Sequence, residues 1–125
     1  MKHLLLVAAG GAIGSSLRHL VNVASLRWFG AGFPWGTLLV NLAGCFAMGV
    51  LIELIARKFG ATQDVRLFVA TGVLGGFTTF SAFSLDAAVL WERGAHSLAA
   101  LYVGVTLAGT LAAIFAGLWL ARSLA

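Results

Sequence analysis

The chain has 125 residues, of which 61% are hydrophobic and 10% charged, and its mean hydropathy is +1.01. A soluble domain keeps roughly a quarter of its residues charged, so polar surface is too scarce here for a globule in water, and lipid is the expected solvent. The net charge of +4 does not point to nucleic acid, because the basic residues stand singly at the ends of apolar runs, where they anchor helices at headgroups.

Each span needs about 20 apolar residues, so four spans use almost the whole length and predict one domain over 1–125. The first runs from Leu4 to Leu26, with Arg18 and His19 towards its end. Lys2 and His3 before an apolar run faintly resemble a signal peptide, but no small-x-small cleavage site stands out and the apolar character resumes after Arg18. The second runs from Pro34 and Trp35 to Ile55, closed by Arg57 and Lys58, with Pro34 suited to a first helical turn. The third runs from Val65 to Leu90 and the fourth from Ser97 to Ala121, closed by Arg122. The loops, Arg27 to Phe33, Arg57 to Asp64 and Trp91 to His96, are short and force antiparallel neighbours.

With four spans both termini share a side. That side carries Lys2, Arg57, Lys58, Arg66 and Arg122, against Arg18, Arg27 and Arg93 on the other. The asymmetry is weak for a rule that reads Lys and Arg, which permits insertion both ways and an antiparallel dimer. Gly10-x-x-x-Gly14 and Gly32-x-x-x-Gly36 allow close backbone approach, within one protomer or between two. Cys45 is the sole cysteine and reads as a small hydrophobe. His3, His19 and His96 share no metal-ligand spacing of the zinc type.

The third span holds the most informative stretch, Gly72 to Ser84. Gly75 and Gly76 are poor helix interior, and Thr78 and Thr79 follow at once. Membrane backbone opens only where something else satisfies the freed groups, so the expectation is a helix broken at mid-span whose carbonyls could hold a monovalent cation. Beyond the break, Phe80 and Phe83 share a face and interleave with Ser81 and Ser84. A phenyl ring presents a positive edge to a partly dehydrated anion. In the second span Thr37 and Asn41 lie at i and i+4, and a mid-span amide either donates to an anion or bonds a neighbouring helix. In the fourth, Tyr102, Thr106 and Thr110 line one stripe with hydroxyls, unless each bonds its own helix. Glu53, Asp64, Asp86 and Glu92 all lie near ends or loops. Proton-coupled transporters commonly bury an acid. Hydroxyls, an amide and ring edges instead suit passive passage of a small anion, with no enzyme chemistry.

These residues resemble a known family, the small bacterial fluoride channels called Fluc or CrcB. The resemblance covers nearly the whole chain. It is carried by Gly10-Gly11-x-x-Gly14 leading to Arg18, by Gly36-Thr37-Leu38-x-Val40-Asn41-x-x-Gly44, and most specifically by Gly72-x-x-Gly75-Gly76-x-Thr78-Thr79-Phe80-Ser81-x-Phe83-Ser84. It implies an all-α, dual-topology antiparallel homodimer in the bacterial plasma (inner) membrane, with two pores that export cytoplasmic fluoride. It implies that Phe80 and Phe83 are pore phenylalanines and Asn41 a pore amide. Tyr102, Thr106 and Thr110 with Ser81 would form a polar track. A structural sodium ion would be held by the Gly75 and Thr78 carbonyls of both subunits. Arg18 would draw anions to a vestibule, unless it reaches the headgroups. Two positions depart from the family's pattern: Ala82 stands where threonine is usual, and Asp86 where glutamate is usual. The rival class, a small multidrug transporter, needs a buried carboxylate in its first helix, and Leu4 to Leu26 carries none.

Overall fold

The computed structural model describes residues 1–124, with side chains for all of these but Lys58 and Phe59; Lys58, read from the sequence as closing the second span, thus lies outside the described side chains. The chain is helical. Helix α1 spans Lys2–Phe29 and α2 spans Trp35–Leu54, continuing in wider i→i+5 turns over Ile55–Phe59. Helix α3, Gln63–Arg66, leads through similar wide turns at Leu67–Leu74 into α4, Gly75–Phe77. Helix α5 covers Phe80–Glu92 and α6 covers His96–Leu124. Four stretches are long and apolar enough to cross a membrane: Lys2–Phe29, Trp35–Arg57, Gln63–Glu92 and His96–Leu124.

The helices outrun the predicted segments at nearly every end. Charged and aromatic residues such as Lys2, Arg27 and Arg122 lie within the helices but beyond the apolar runs that set the sequence limits. Such residues suit the interface, where a helix persists past the hydrocarbon core. Pro34 sits one residue before α2 rather than inside its first turn, and its carbonyl accepts from Leu38 N–H at 3.2 Å. Two turns need positive φ: Gly30 at 77° ends α1, and Gly94 at 81° turns the chain from α5 to α6.

Small residues set the packing. Helix α2 runs along α6, and α1 runs along Leu67–Leu74. A Cβ at Gly10 would strike the Phe68 carbonyl and lie 2.9 Å from Gly72 Cα; one at Gly14 would strike the Val73 carbonyl and lie 2.8 Å from Phe77 N. The Gly10-x-x-x-Gly14 pair is therefore used inside the chain, where it brings α1 onto the third span. Gly36 likewise abuts α1, whereas Gly32 faces open space, so Gly32-x-x-x-Gly36 is not a paired contact within the chain. Replacing Gly14 with alanine is expected to cost about 1–3 kcal/mol through overpacking and to lower the melting temperature in detergent. Gly11, with nothing near its Cβ position, is the control. Equal melting of the Gly14→Ala and Gly11→Ala variants would dismiss the close-approach account.

One end of the bundle is tied by charge. Glu53, buried near the end of α2, pairs with Arg57 and with Arg122 of α6, the latter at 3.2 Å. Asp64 holds Lys2 at 2.9 Å and His3 at 3.2 Å, joining the first residues of α1 to α3.

Candidate functional site

Thr78 and Thr79 have extended backbone, with φ and ψ of −85° and 157°, then −154° and 125°. Every group this frees inside lipid needs a partner, and several are supplied by side chains. Thr78 donates its N–H and its hydroxyl to the Leu74 carbonyl, each at 3.0 Å. The Thr79 hydroxyl accepts from Ala82 N–H at 3.1 Å and so caps α5. The Asn41 amide grips Thr79 from α2: its Nδ2 donates to the Thr79 carbonyl at 3.0 Å, and its Oδ1 accepts from Thr79 N–H at 2.8 Å. Gly44, one turn along α2, leaves room for the Thr78 methyl, which a Cβ there would strike.

Among the carbonyls that lose their helical donors at the extended pair are those of Gly75 and Thr78. The Thr79 N–H that a continuous helix would give to Gly75 goes to Asn41 instead. The Ala82 N–H that it would give to Thr78 goes to the Thr79 hydroxyl. The neighbouring Gly76 carbonyl accepts from Arg18 Nε at 3.1 Å. Arg18 thus reaches the third span through Nε.

Beside the extended pair lies a cavity of about 320 Å³, walled by α2, the extended pair, α5 and α6. Asn41, Thr78, Thr79, Phe80, Phe83, Thr106 and Thr110 line it, together with Cys45, Leu107 and Leu111. Among the described residues, the lining holds no ionisable acid or base other than the Cys45 thiol. Phe83 is buried, while Phe80 is 73% exposed on the open side; their ring centroids are 5.4 Å apart and the planes make 58°. Thr106 is buried and its hydroxyl has no protein partner among the described residues. Thr110 spends its hydroxyl on the Thr106 carbonyl at 2.7 Å.

The cavity does not unite every residue singled out from the sequence. Tyr102 is fully buried behind Phe83, with centroids 5.3 Å apart, and its hydroxyl donates to Asp86 Oδ2 at 3.2 Å. Thr37 lines a separate space with Asn22, Ser25, Phe33 and Asp86. Ser81 is exposed, 3.3 Å from the Thr79 hydroxyl, and Ser84 donates to its own helix at the Phe80 carbonyl. The helical stripe places Tyr102, Thr106 and Thr110 correctly in angle, but α5 crosses α6 and walls off Tyr102. Cys45, read from the sequence as a small hydrophobe, also lines the cavity.

Four apolar spans, with the internal polar groups supplied by side chains and two extended residues, define a multi-pass membrane protein. Residues 5–118 match the family described as "CrcB-like protein, Camphor Resistance (CrcB)", and the chain belongs to that family. It is 61% identical over 124 residues to a protein of Chelativorans sp. (strain BNC1) named "Fluoride-specific ion channel FluC", with 99% of both chains covered. Proteins of the same name from Mesorhizobium japonicum and Agrobacterium fabrum are 56% identical over 124 residues and 58% identical over 107 residues, covering 99% and 86% of this chain.

Proposed function

We propose that this protein is a passive, fluoride-selective ion channel of the bacterial inner membrane. The observation that carries the reading is the uncharged cavity beside Thr78 and Thr79, which brings an amide, threonine hydroxyls and two phenyl rings together. Fluoride is small and accepts hydrogen bonds strongly. Donors from Asn41 and Thr106 and the positive ring edges of Phe80 and Phe83 can replace part of its water without a fixed cation that would trap it. Hydrogen fluoride crosses membranes as a neutral acid and ionises in a neutral cytoplasm. A negative-inside potential then drives the anion outward by about 2.3 kcal/mol per 100 mV, so export needs no ATP.

The reading extends to a homodimer with third helices broken at mid-membrane and a structural sodium ion between subunits. The Gly75 and Thr78 carbonyls lack their helical donors, and a pair of free carbonyls is a fitting donor set for a monovalent cation. Gly75 is exposed and Phe80 is 73% exposed, so a second copy over this face would complete both the ion's shell and the cavity's open side. The weak asymmetry of basic residues supports antiparallel insertion.

Purified protein in liposomes, with valinomycin and potassium as the counter-ion path, is expected to release fluoride at least about a hundredfold faster than chloride, read with ion-selective electrodes. Equal release of the two anions would remove the selectivity. For the topology, a cysteine placed at Ala95 in the turn before α6 is expected to label from both faces of the membrane. Labelling from one face alone would end the antiparallel dimer.

A further inference from the structure

The ends of α2 and α6 share a charged cluster, no member of which lines the cavity. Glu53 is buried; its Oε1 accepts from Arg57 Nε one turn on and lies 3.2 Å from Arg122 Nε of α6. Two guanidinium groups thus meet one carboxylate oxygen, and each meets it through Nε. Among the described residues neither arginine side chain makes another hydrogen bond or ion pair, which leaves the terminal Nη atoms of both uncommitted. The two side chains are 54% and 53% exposed, so these free ends face outward.

The charges in this cluster do not balance. Two cations share one anion, which leaves one positive charge in excess and two like charges side by side. A second anion on the open side would relieve both. Arg57 lies in the wide-turn continuation of α2 and Arg122 in the last turn of α6. The apolar runs of both spans stop here, at the level of the headgroups. The anion that this depth offers is a lipid phosphodiester, whose single charge is spread over oxygens that match the paired N–H groups of a guanidinium. Glu53 holds each Nε, so both forks are oriented before a ligand arrives and lose less freedom on binding. Compensation of the C-terminal helix dipoles also favours cations at this end, but it acts on charge alone and asks nothing of the fork.

We propose that Arg57 and Arg122 clamp the phosphate of an anionic phospholipid, with Glu53 as the buried post that sets them side by side. The excess of one positive charge selects a headgroup of net negative charge, such as phosphatidylglycerol. A zwitterionic headgroup such as phosphatidylcholine brings its own cation to the same guanidinium pair. The clamp does not depend on the fluoride reading.

The test uses the full-length protein in detergent, given phosphatidylglycerol, phosphatidylcholine or inorganic phosphate. Native mass spectrometry reads the lipid retained, and thermal melting reads stabilisation. Wild type is expected to retain phosphatidylglycerol at least about tenfold better than phosphatidylcholine, the worth of one charge-assisted contact, and to melt at a higher temperature with it. Arg57→Gln and Arg122→Gln are each expected to retain about tenfold less phosphatidylglycerol. Arg122→Lys keeps the charge and a partner for Glu53 but has no fork, and its retention is expected to fall at least about threefold. Arg27→Gln, in the last turn of α1 at the opposite end of the bundle, is expected to match wild type. Equal retention of the two lipids by wild type overturns the clamp. So does full retention by either glutamine variant or by Arg122→Lys. Where a glutamine variant elutes unlike wild type, Arg122→Lys decides alone. An equal loss in Arg27→Gln means a general effect of charge and overturns the site. Stabilisation by inorganic phosphate as large as that by phosphatidylglycerol overturns the lipid occupant.

Discussion

Replacing Asn41 with alanine is expected to abolish most fluoride efflux, by about a hundredfold or more, and to lower the melting temperature with it. Both polar ends of this amide are committed to the backbone of Thr79, at 3.0 and 2.8 Å. Alanine leaves a donor and an acceptor of Thr79 unpaired in a part-buried setting, at a cost of about 1–3 kcal/mol for each group left unsatisfied. The backbone can escape that cost by moving, which displaces Thr79 and the α5 N-terminus that Thr79 caps. Phe80 and Phe83 ride on that helix, so the cavity wall moves as well. Asn41 is thus a positioning residue first, with one Nδ2 hydrogen left over for an ion. Efflux and thermal melting on the same preparation separate the two roles. Lost efflux with an unchanged melting temperature would refute the scaffold role and leave the amide serving the ion alone.

Replacing Phe83 with isoleucine is expected to cut fluoride efflux at least about tenfold while the protein still elutes as the wild-type assembly. Phe83 is 6% exposed, lines the cavity and leans on both Phe80 and Tyr102. Isoleucine keeps the site apolar at moderate size, so packing losses of about 1–2 kcal/mol are expected. What vanishes is the positive ring edge. Phe80→Ile makes the matching comparison, because Phe80 is 73% exposed within one chain and isoleucine there should cost little internal packing while still removing a ring from the cavity's open side. A well-behaved assembly with undiminished efflux would remove the pore role of whichever phenylalanine was changed.

Much of the architecture was legible because its signals are local. Four apolar runs separated by short charged loops indicate four spans whatever their packing, and the helices found enclose each predicted segment except the second, whose Pro34 precedes α2 and whose Ile55 falls in its wide-turn continuation. The stretch from Gly72 to Ser84 stood out for a similar reason: paired glycines before paired threonines conflict with a regular helix at mid-span. The ends were less legible, since a helix continues into the headgroups on residues that hydropathy counts as polar.

The sequence by itself determined the solvent, the number of spans, the family and the short list of uncharged polar residues available to meet an ion. It left Asn41 undecided between an ion and a neighbouring helix, and Gly10-x-x-x-Gly14 undecided between a partner within the chain and a second copy. The tertiary structure decided the second, turning Gly10 and Gly14 onto the third span, and it joined Asn41 to the Thr79 backbone with one amide hydrogen left over. It also divided the hydroxyl stripe of α6, leaving Thr106 and Thr110 on the cavity and burying Tyr102 against Phe83 and Asp86. The physical reason is that periodicity fixes the direction of a side chain from its own helix axis. What that side chain then meets depends on where other helices cross, and here the crossings are set by glycine contacts between residues more than sixty positions apart, such as Gly10 with Gly72 and Gly49 with Gly117.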